Sequence, residues 1–279
     1  MGLFITTDSG EYSGKTTLNR ILLPVLTRSG FDVRHSREPG GTTDGETLRG
    51  FMRSRLEHKA SPREMALLMS SARRGHLDDV IVPWLGVNRE LRRIMLLDRY
   101  ADSTMVYQGL EGGVKPEEIL DLQRFTVGNW WPDLTLILHI PESKYQTTFR
   151  ARKLIADEMR AGEPDLSAWD NVDTATHIQR QRHYLSLPKL YESWGIPRKF
   201  VSIDSSQSPM SVAIDALKAI NPHLASVENE QRGDRARQQL LLDELRKYHD
   251  EGNMEDAELR WRRQINLEAE LGGGKEKRR

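Results

Sequence analysis

The chain alternates short apolar, β-branched runs with longer stretches of helical periodicity. Five runs, at residues 3–7, 32–36, 94–98, 134–140 and 199–204, read as strands. Leu134-Thr135-Leu136-Ile137-Leu138 is almost continuously apolar, as expected of a strand covered on both faces and hence of a parallel sheet. Between the runs, the pattern predicts helices over 17–28, 62–85, 116–128, 143–159, 174–194 and 209–220. The expected fold is α/β: a three-layer, doubly wound structure with a five-stranded parallel sheet flanked by helices. Ligands bind such sheets beyond the carboxyl ends of the strands, and the segments following the first three runs fall there together.

The pattern changes at about Pro222. Leu240-Leu241-Leu242, Leu245 and Tyr248, then Ala257, Leu259, Trp261, Ile265, Leu267 and Leu271, sit within highly charged helical stretches. Glu251-Gly252-Asn253 reads as the break between two helices, and Gly272-Gly273-Gly274 ends the second. A C-terminal helical hairpin over residues 222–279 is expected, its apolar stripes packing on the body or on a second subunit. Its basic end, Lys275-Glu276-Lys277-Arg278-Arg279, is expected to be a disordered, solvated tail.

Composition narrows the function classes. The 279 residues suffice for one large α/β domain with an appendage, or for two small domains. Lys plus Arg and Asp plus Glu both number 41, so no overall field draws in nucleic acid or anionic lipid, and no nucleic-acid partner is expected. With no cysteine, disulfides, thiolate metal sites and cysteine nucleophiles are excluded. No apolar run approaches ~18 residues and no secretory signal stands at the N-terminus, so a cytoplasmic protein without membrane association is expected.

Candidate chemistry begins directly after the first run. Gly10-Glu11-Tyr12-Ser13-Gly14-Lys15-Thr16-Thr17 places a tight turn between a strand and a helix, the build of a phosphate-binding loop. Its amides and the helix N-terminus would surround an anion, Lys15 would reach the β- and γ-phosphates of a nucleotide, and the Thr16 hydroxyl would ligate Mg²⁺. The pattern G-x-x-x-x-G-K-[ST] asks for glycine where this chain has Ser9, which fits the turn if its φ is negative. A plain strand–turn–helix corner is the competing reading.

Further segments must be explained with this loop. Arg37-Glu38-Pro39-Gly40-Gly41-Thr42 follows the second run. Leu67-Leu68-Met69-Ser70-Ser71-Ala72-Arg73-Arg74-Gly75-His76 lies on a predicted helix. Asp98-Arg99-Tyr100-Ala101-Asp102-Ser103, with Tyr107-Gln108-Gly109, follows the third run. In this order the set resembles the thymidylate (dTMP) kinase family of P-loop nucleoside monophosphate kinases, over about residues 3–220. The resemblance implies transfer of the γ-phosphoryl group of ATP, with Mg²⁺, to a deoxynucleoside monophosphate. It implies a kinase body at 1–221 with a lid at about 142–170, and a homodimer formed through helices flanking the third strand. Ile203-Asp204-Ser205-Ser206-Gln207-Ser208 resembles the segment bordering adenine.

The roles it implies are specific. Lys15 holds the donor phosphates, Arg37 and Arg99 clamp the acceptor phosphate, and Asp98 sits beside Mg²⁺ together with Thr16. Glu11 contacts the 3′-hydroxyl, Tyr107 lies under the deoxyribose with Gln108 next to it, and Arg73 meets the thymine edge. Each has a bland alternative: a surface salt bridge for Arg37, a helix cap for Asp98, plain exposure for Glu11 and a core position for Tyr107.

Two departures from the family pattern stand out. Met69 replaces a base-stacking phenylalanine, and a thioether discriminates bases less sharply. Tyr12 occupies a position where some members place a catalytic arginine, so that charge would come from the lid. Arg150, Arg152 and Arg160 are candidates, with Arg152 taken as the catalytic one; a solvated basic helix face is the alternative. A nucleotide-binding protein of weakened activity, and a kinase of free deoxynucleosides, are the competing functions. The paired Arg37 and Arg99 argue against the latter.

Overall fold

A computed structural model describes residues 2–86, 92–159, 172–225 and 233–273. Arg160, residues 161–170 of the expected lid and the basic tail at 274–279 lie outside the described residues. Five parallel strands form one sheet: β1 (Leu3–Asp8), β2 (Asp32–Arg37), β3 (Arg93–Asp98), β4 (Leu134–His139) and β5 (Phe200–Asp204), in the order β2-β3-β1-β4-β5. Each strand lies within a residue or two of its expected run. The register pairs Thr7 with Asp98 and Arg37 with Asp98, so β1, β2 and β3 end side by side. The chain order reverses at the centre of the sheet, where β1 separates β3 from β4, and the loop after β1 opens at that switch point.

The helices are α1 (Lys15–Arg28), α2 (Thr43–Glu57), α3 (Pro62–His76), α4 (Val82–Leu85), α5 (Ala101–Thr104), α6 (Pro116–Val127), α7 (Glu142–Met159), α8 (Thr174–Ser193), α9 (Pro209–Leu224), α10 (Asp234–Asp250) and α11 (Glu255–Gly273). Several starts follow directly from sequence: the hydroxyls of Ser61 and Ser208 and the carboxylate of Asp173 accept from backbone amides three residues on, and Pro62 and Pro209 take the first helical position. The single helix expected over 62–85 widens to a π-helix at Leu77–Ile81 before α4. Pro83 has no N–H to donate four residues back, which accounts for the wider turn just ahead of it.

Two helical stretches were not apparent in the periodicity. In α2 the only buried residues are Gly45 and Met52, too little for a visible apolar stripe. Ala101–Thr104 continues as a π-helix over Met105–Glu111, whose wide turns break the 3.6-residue spacing.

The main core lies between β1, β3, β4 and α1 and α9, built from Ile5, Leu22, Leu26, Leu136 and Leu217 among others. The C-terminal hairpin joins it: Leu241, Leu245 and Met254 are fully buried in the same cluster. The break between α10 and α11 falls where expected, with Gly252 at φ 80°. No helix of the described residues is long and apolar enough to cross a membrane. Truncating a fully buried leucine typically costs about 2–5 kcal/mol. Leu245→Ala is therefore expected to lower unfolding free energy, measured in urea, by that amount; a loss below about 1 kcal/mol would mean that the hairpin does not belong to the core.

Candidate active site

The loop after β1 is a cradle of backbone bent by a few special residues. Gly14 caps α1 at φ 95°, and Tyr12 adopts φ 57°, a conformation uncommon for residues with a Cβ. Ser9 lies outside the left-handed region, so its replacement of glycine introduces no backbone strain. Its hydroxyl instead pairs with that of Ser13 across the loop. The Tyr12 ring turns away from the loop and packs edge-on against Phe149 of α7 at 5.3 Å and His177 of α8 at 6.5 Å. Lys15 is buried, and its Nζ donates to the carbonyls of Gly10 (3.1 Å) and Ser9 (3.4 Å). Burial and the neighbouring Arg99 push the Lys15 ammonium pKa down, while Asp98, Glu11 and Asp8 pull it up. Thr16 and the half-buried Thr17 begin α1, with Thr16 exposed in the cavity above the loop.

At the end of β3, Arg99 also adopts a left-handed conformation, at φ 65°. It donates to the Ser9 carbonyl (2.8 Å), the Ser103 hydroxyl (3.2 Å), the Tyr184 hydroxyl (3.0 Å) and Glu11 Oε1 (2.5 Å). Tyr107 donates its own hydroxyl to the same Glu11 oxygen at 2.9 Å. Burial pushes the Glu11 carboxyl up, yet Arg99, Lys15, the Tyr107 hydroxyl and Arg180 together hold it down at about 2. Glu11 is thus an anion pinned between the loop and β3. Beside it, Asp98 keeps a buried carboxylate oxygen, Oδ1, without a hydrogen-bond partner.

One cavity, of about 500 Å³ with its open mouth, lies between α3 and the segment after β3. Glu11, Met69, Arg73, Arg99, Tyr107 and Gln108 line it, with Glu38 and Thr104. Arg73 is buried, donating to Glu38 Oε2 (2.8 Å), the Tyr100 carbonyl (3.0 Å) and Thr104 Oγ1 (3.1 Å). One terminal nitrogen of its guanidinium remains buried and unpartnered. Glu38 also pairs with the His76 ring at 3.1 Å, which in turn meets Ser36 at 2.8 Å. Arg37 does not join this lining; it is half-exposed and donates to Glu46 at 2.7 Å. Arg49 lies within electrostatic reach: burial, then Arg37, with smaller effects of Arg53 and Arg99, depress its pKa. That crowding of guanidiniums suits an anion.

A second, larger cavity, about 1740 Å³ and open to solvent, lies over the phosphate-loop residues 11–17. Arg152 of α7 reaches into its wall, donating to the Tyr12 carbonyl (3.1 Å), the Ser205 carbonyl and Gln264 Oε1 of α11 (2.8 Å). Burial pushes its pKa down to about 10. Arg150 is exposed on the same helix and lines neither cavity. Glu11 lines both cavities.

Some site residues carried no signal in the sequence. Arg49 lies on α2, a helix the periodicity does not show, and Arg180 on a predicted helix without a motif of its own; yet Arg180 is buried, forks onto Glu111 (2.7 and 2.8 Å) and lies over the Tyr107 ring at 4.3 Å. Tyr184 looks like any core aromatic until Arg99 and Ser103 meet its hydroxyl. Glu38 stood in a segment the sequence singles out, but its role as the partner of Arg73 and His76 shows only in the structure.

The thymidylate kinase family model matches residues 10–168. Three bacterial proteins named thymidylate kinase align with most of the chain. That of Shouchella clausii is 31% identical over 229 residues, covering 82% of this chain and 99% of its own length. That of Cereibacter sphaeroides is 32% identical over 224 residues, or 80% of this chain and 96% of its own. That of Nitratidesulfovibrio vulgaris is 33% identical over 228 residues, or 80% and 98%.

The site's electrostatics predict a pH dependence of stability. Burial lifts the carboxyl of Asp8, at the end of β1, to about 6, only partly offset by Arg99. The folded chain therefore binds this proton more tightly than the unfolded chain, so Asp8 favours folding below pH 4 and loses that advantage as the pH rises through about 6. Asp8→Asn should remove this contribution. Relative to the variant, the native chain is expected to lose roughly 3 kcal/mol between pH 4 and pH 7.5 in urea unfolding; parallel stability profiles would contradict it.

Proposed function

The chain belongs to the thymidylate kinase family, and from that premise we propose that it transfers the γ-phosphoryl group of ATP to the 5′-phosphate of dTMP, giving dTDP and ADP. The observation that carries this reading is that Glu11 lines two adjoining cavities, one over the phosphate-binding loop and one around the buried Arg73. A donor and an acceptor placed in these cavities face each other across one residue.

The acceptor is already an oxyanion, so the reaction needs charge neutralisation and in-line placement more than a nucleophilic side chain. An acceptor phosphate oxygen attacks the γ-phosphorus as the bond to the oxygen bridging to the β-phosphorus breaks, and ADP leaves with that electron pair. Lys15, whose ammonium now rests on loop carbonyls, holds the donor phosphates. Arg99, with Arg37 and Arg49, neutralises the acceptor phosphate by forked hydrogen bonds. Arg37 joins by exchanging Glu46 for the substrate. The unpartnered nitrogen of Arg73 has a base carbonyl as its natural partner, with Met69 against the ring and Gln108 beside it. Tyr107, fixed by Glu11, lies under the sugar. Arg152 ties the loop to α7 and adds positive charge on the donor side.

The residues also fit Mg²⁺. Asp98 presents a buried oxygen that lacks a partner, and Thr16 presents a hydroxyl in the donor cavity. Among the described residues no cluster of three or more His, Cys, Asp or Glu could hold a metal by itself, as suits an ion held mostly by substrate phosphates and waters. When bound, Mg²⁺ would be held on the protein side by Thr16 and Asp98 and would offset the charge of the donor phosphates.

In this reading residues 1–221 carry the reaction in the cytoplasm, and 222–279 extend it. A homodimer is supported by large apolar side chains left exposed on neighbouring helices, Leu67 on α3 (61%) and Phe125 on α6 (90%).

Incubation with ATP, Mg²⁺ and a panel of nucleoside monophosphates, followed by ADP release, tests the proposal. Turnover is expected to be highest with dTMP. ATP binding without turnover on any acceptor, or turnover only on unphosphorylated nucleosides, would overturn it. Lys15→Ala is expected to lower kcat/KM by about 10²–10³ or more with an unchanged melting temperature; a variant retaining most of its rate would mean that the donor site is misassigned.

A further inference from the structure

The donor cavity has a wall beyond the matched region. The family match ends at residue 168, yet Ala257, Arg260, Trp261 and Gln264 of α11 line the same cavity as Lys15 and Thr16. These four positions follow the i, i+3, i+4, i+7 spacing, so a single face of the helix is turned toward the phosphate-binding loop. Opposite stand Ser205, Gln207 and Pro209, between β5 and α9.

This wall is anchored at several points. Met254, at the start of α11, and Leu241 and Leu245 of α10 are buried in the main core. Gln264 is buried and accepts from Arg152, the arginine that also grips the loop at Tyr12. Arg263 pairs with Glu158 of α7, and Asp256 holds Arg260 at 2.7 Å. The buried indole Nε1 of Trp261 has no hydrogen-bond partner. An indole N–H normally finds an acceptor when buried, and leaving it unpaired costs free energy.

We propose that α11 is part of the nucleoside triphosphate site: the base and ribose of the donor lie between α11 and the loop after β5, and Trp261 donates its Nε1–H to an acceptor on that nucleoside. This rests on the assignment of the donor cavity made above. The extension then sets donor affinity while leaving the acceptor cavity untouched, since no residue of α10 or α11 lines the latter.

The test is Trp261→Ala and Trp261→Phe in the full chain, the phenylalanine keeping a ring while losing the N–H. KM for ATP is expected to rise about tenfold or more in the alanine variant and about threefold to tenfold in the phenylalanine variant, with KM for dTMP within twofold of the native value. Calorimetric titration with ADP, which needs no turnover, should weaken by the same factors. If ADP binds the native chain but both variants bind it equally well, the inference fails and the donor assignment stands. If ADP binds none of them, or competes only with the acceptor, the donor assignment fails and the inference with it. Should the alanine variant not fold, the phenylalanine variant alone decides, and an unchanged KM for ATP in it overturns the role of the N–H.

Discussion

A half-buried ion pair between Glu11 and Arg99 holds the loop after β1 against the end of β3, and its carboxylate partner lines both cavities. Removing two charges from water is costly, and their attraction offsets that cost only when the remaining polar atoms are satisfied. Here they nearly are: the Arg99 guanidinium also meets a carbonyl and two hydroxyls, and Glu11 meets Tyr107. Arg99 reaches these partners from a left-handed backbone conformation that costs on the order of 1–3 kcal/mol for a residue with a Cβ. The parallel register makes the pair possible, because Thr7, one residue before the end of β1, stands abreast of Asp98 at the end of β3. Where the pair lies, positive and negative charge are already ordered before substrate arrives, so little reorganisation remains for the reaction.

Around that pair the structure divides its labour between rigid and adaptable parts. Arg73 is held by Glu38, Tyr100 and Thr104, and Glu38 by His76 as well, so its guanidinium has one orientation. Arg37 lies at the surface on a single half-exposed ion pair, a contact weak enough to exchange for a phosphate. Arg152 joins three elements that are far apart in sequence: the loop, the segment after β5 and α11. The extension is consequently coupled to the donor side through a side chain as well as through the core.

Strands β1, β3 and β4 were legible because burial on both faces leaves near-continuous apolar runs, whereas the edge strands β2 and β5 are largely unburied and showed only by their β-branched and turn-bounded pattern. The loop after β1 was legible because its glycines, lysine and threonine sit at fixed offsets between a strand and a helix. Helix α2 was not, since it buries little beyond Met52. Among the cavity residues, Met69, Arg73, Tyr107 and Gln108 converge as their motifs suggest. Arg180 and Tyr184 could not be found that way, because their partners, Glu111 and Tyr107 for the one and Arg99 and Ser103 for the other, lie far from them in sequence. Tyr12 illustrates the limit in another way: from sequence it stood only where some family members carry an arginine, whereas in the structure its ring packs with the aromatic cluster of Tyr145 and Phe149. The α11 wall is the same kind of case, a helical stripe whose partner no local pattern specifies.

The central claim is that two nucleotides bind head to head across Glu11. A single molecule joining adenosine to thymidine through five phosphates spans both cavities, and calorimetry with competition kinetics reads its mode of binding. One molecule per chain, competitive with both ATP and dTMP, is the predicted result. Competition with only one of the two, or no binding at all, would contradict the account.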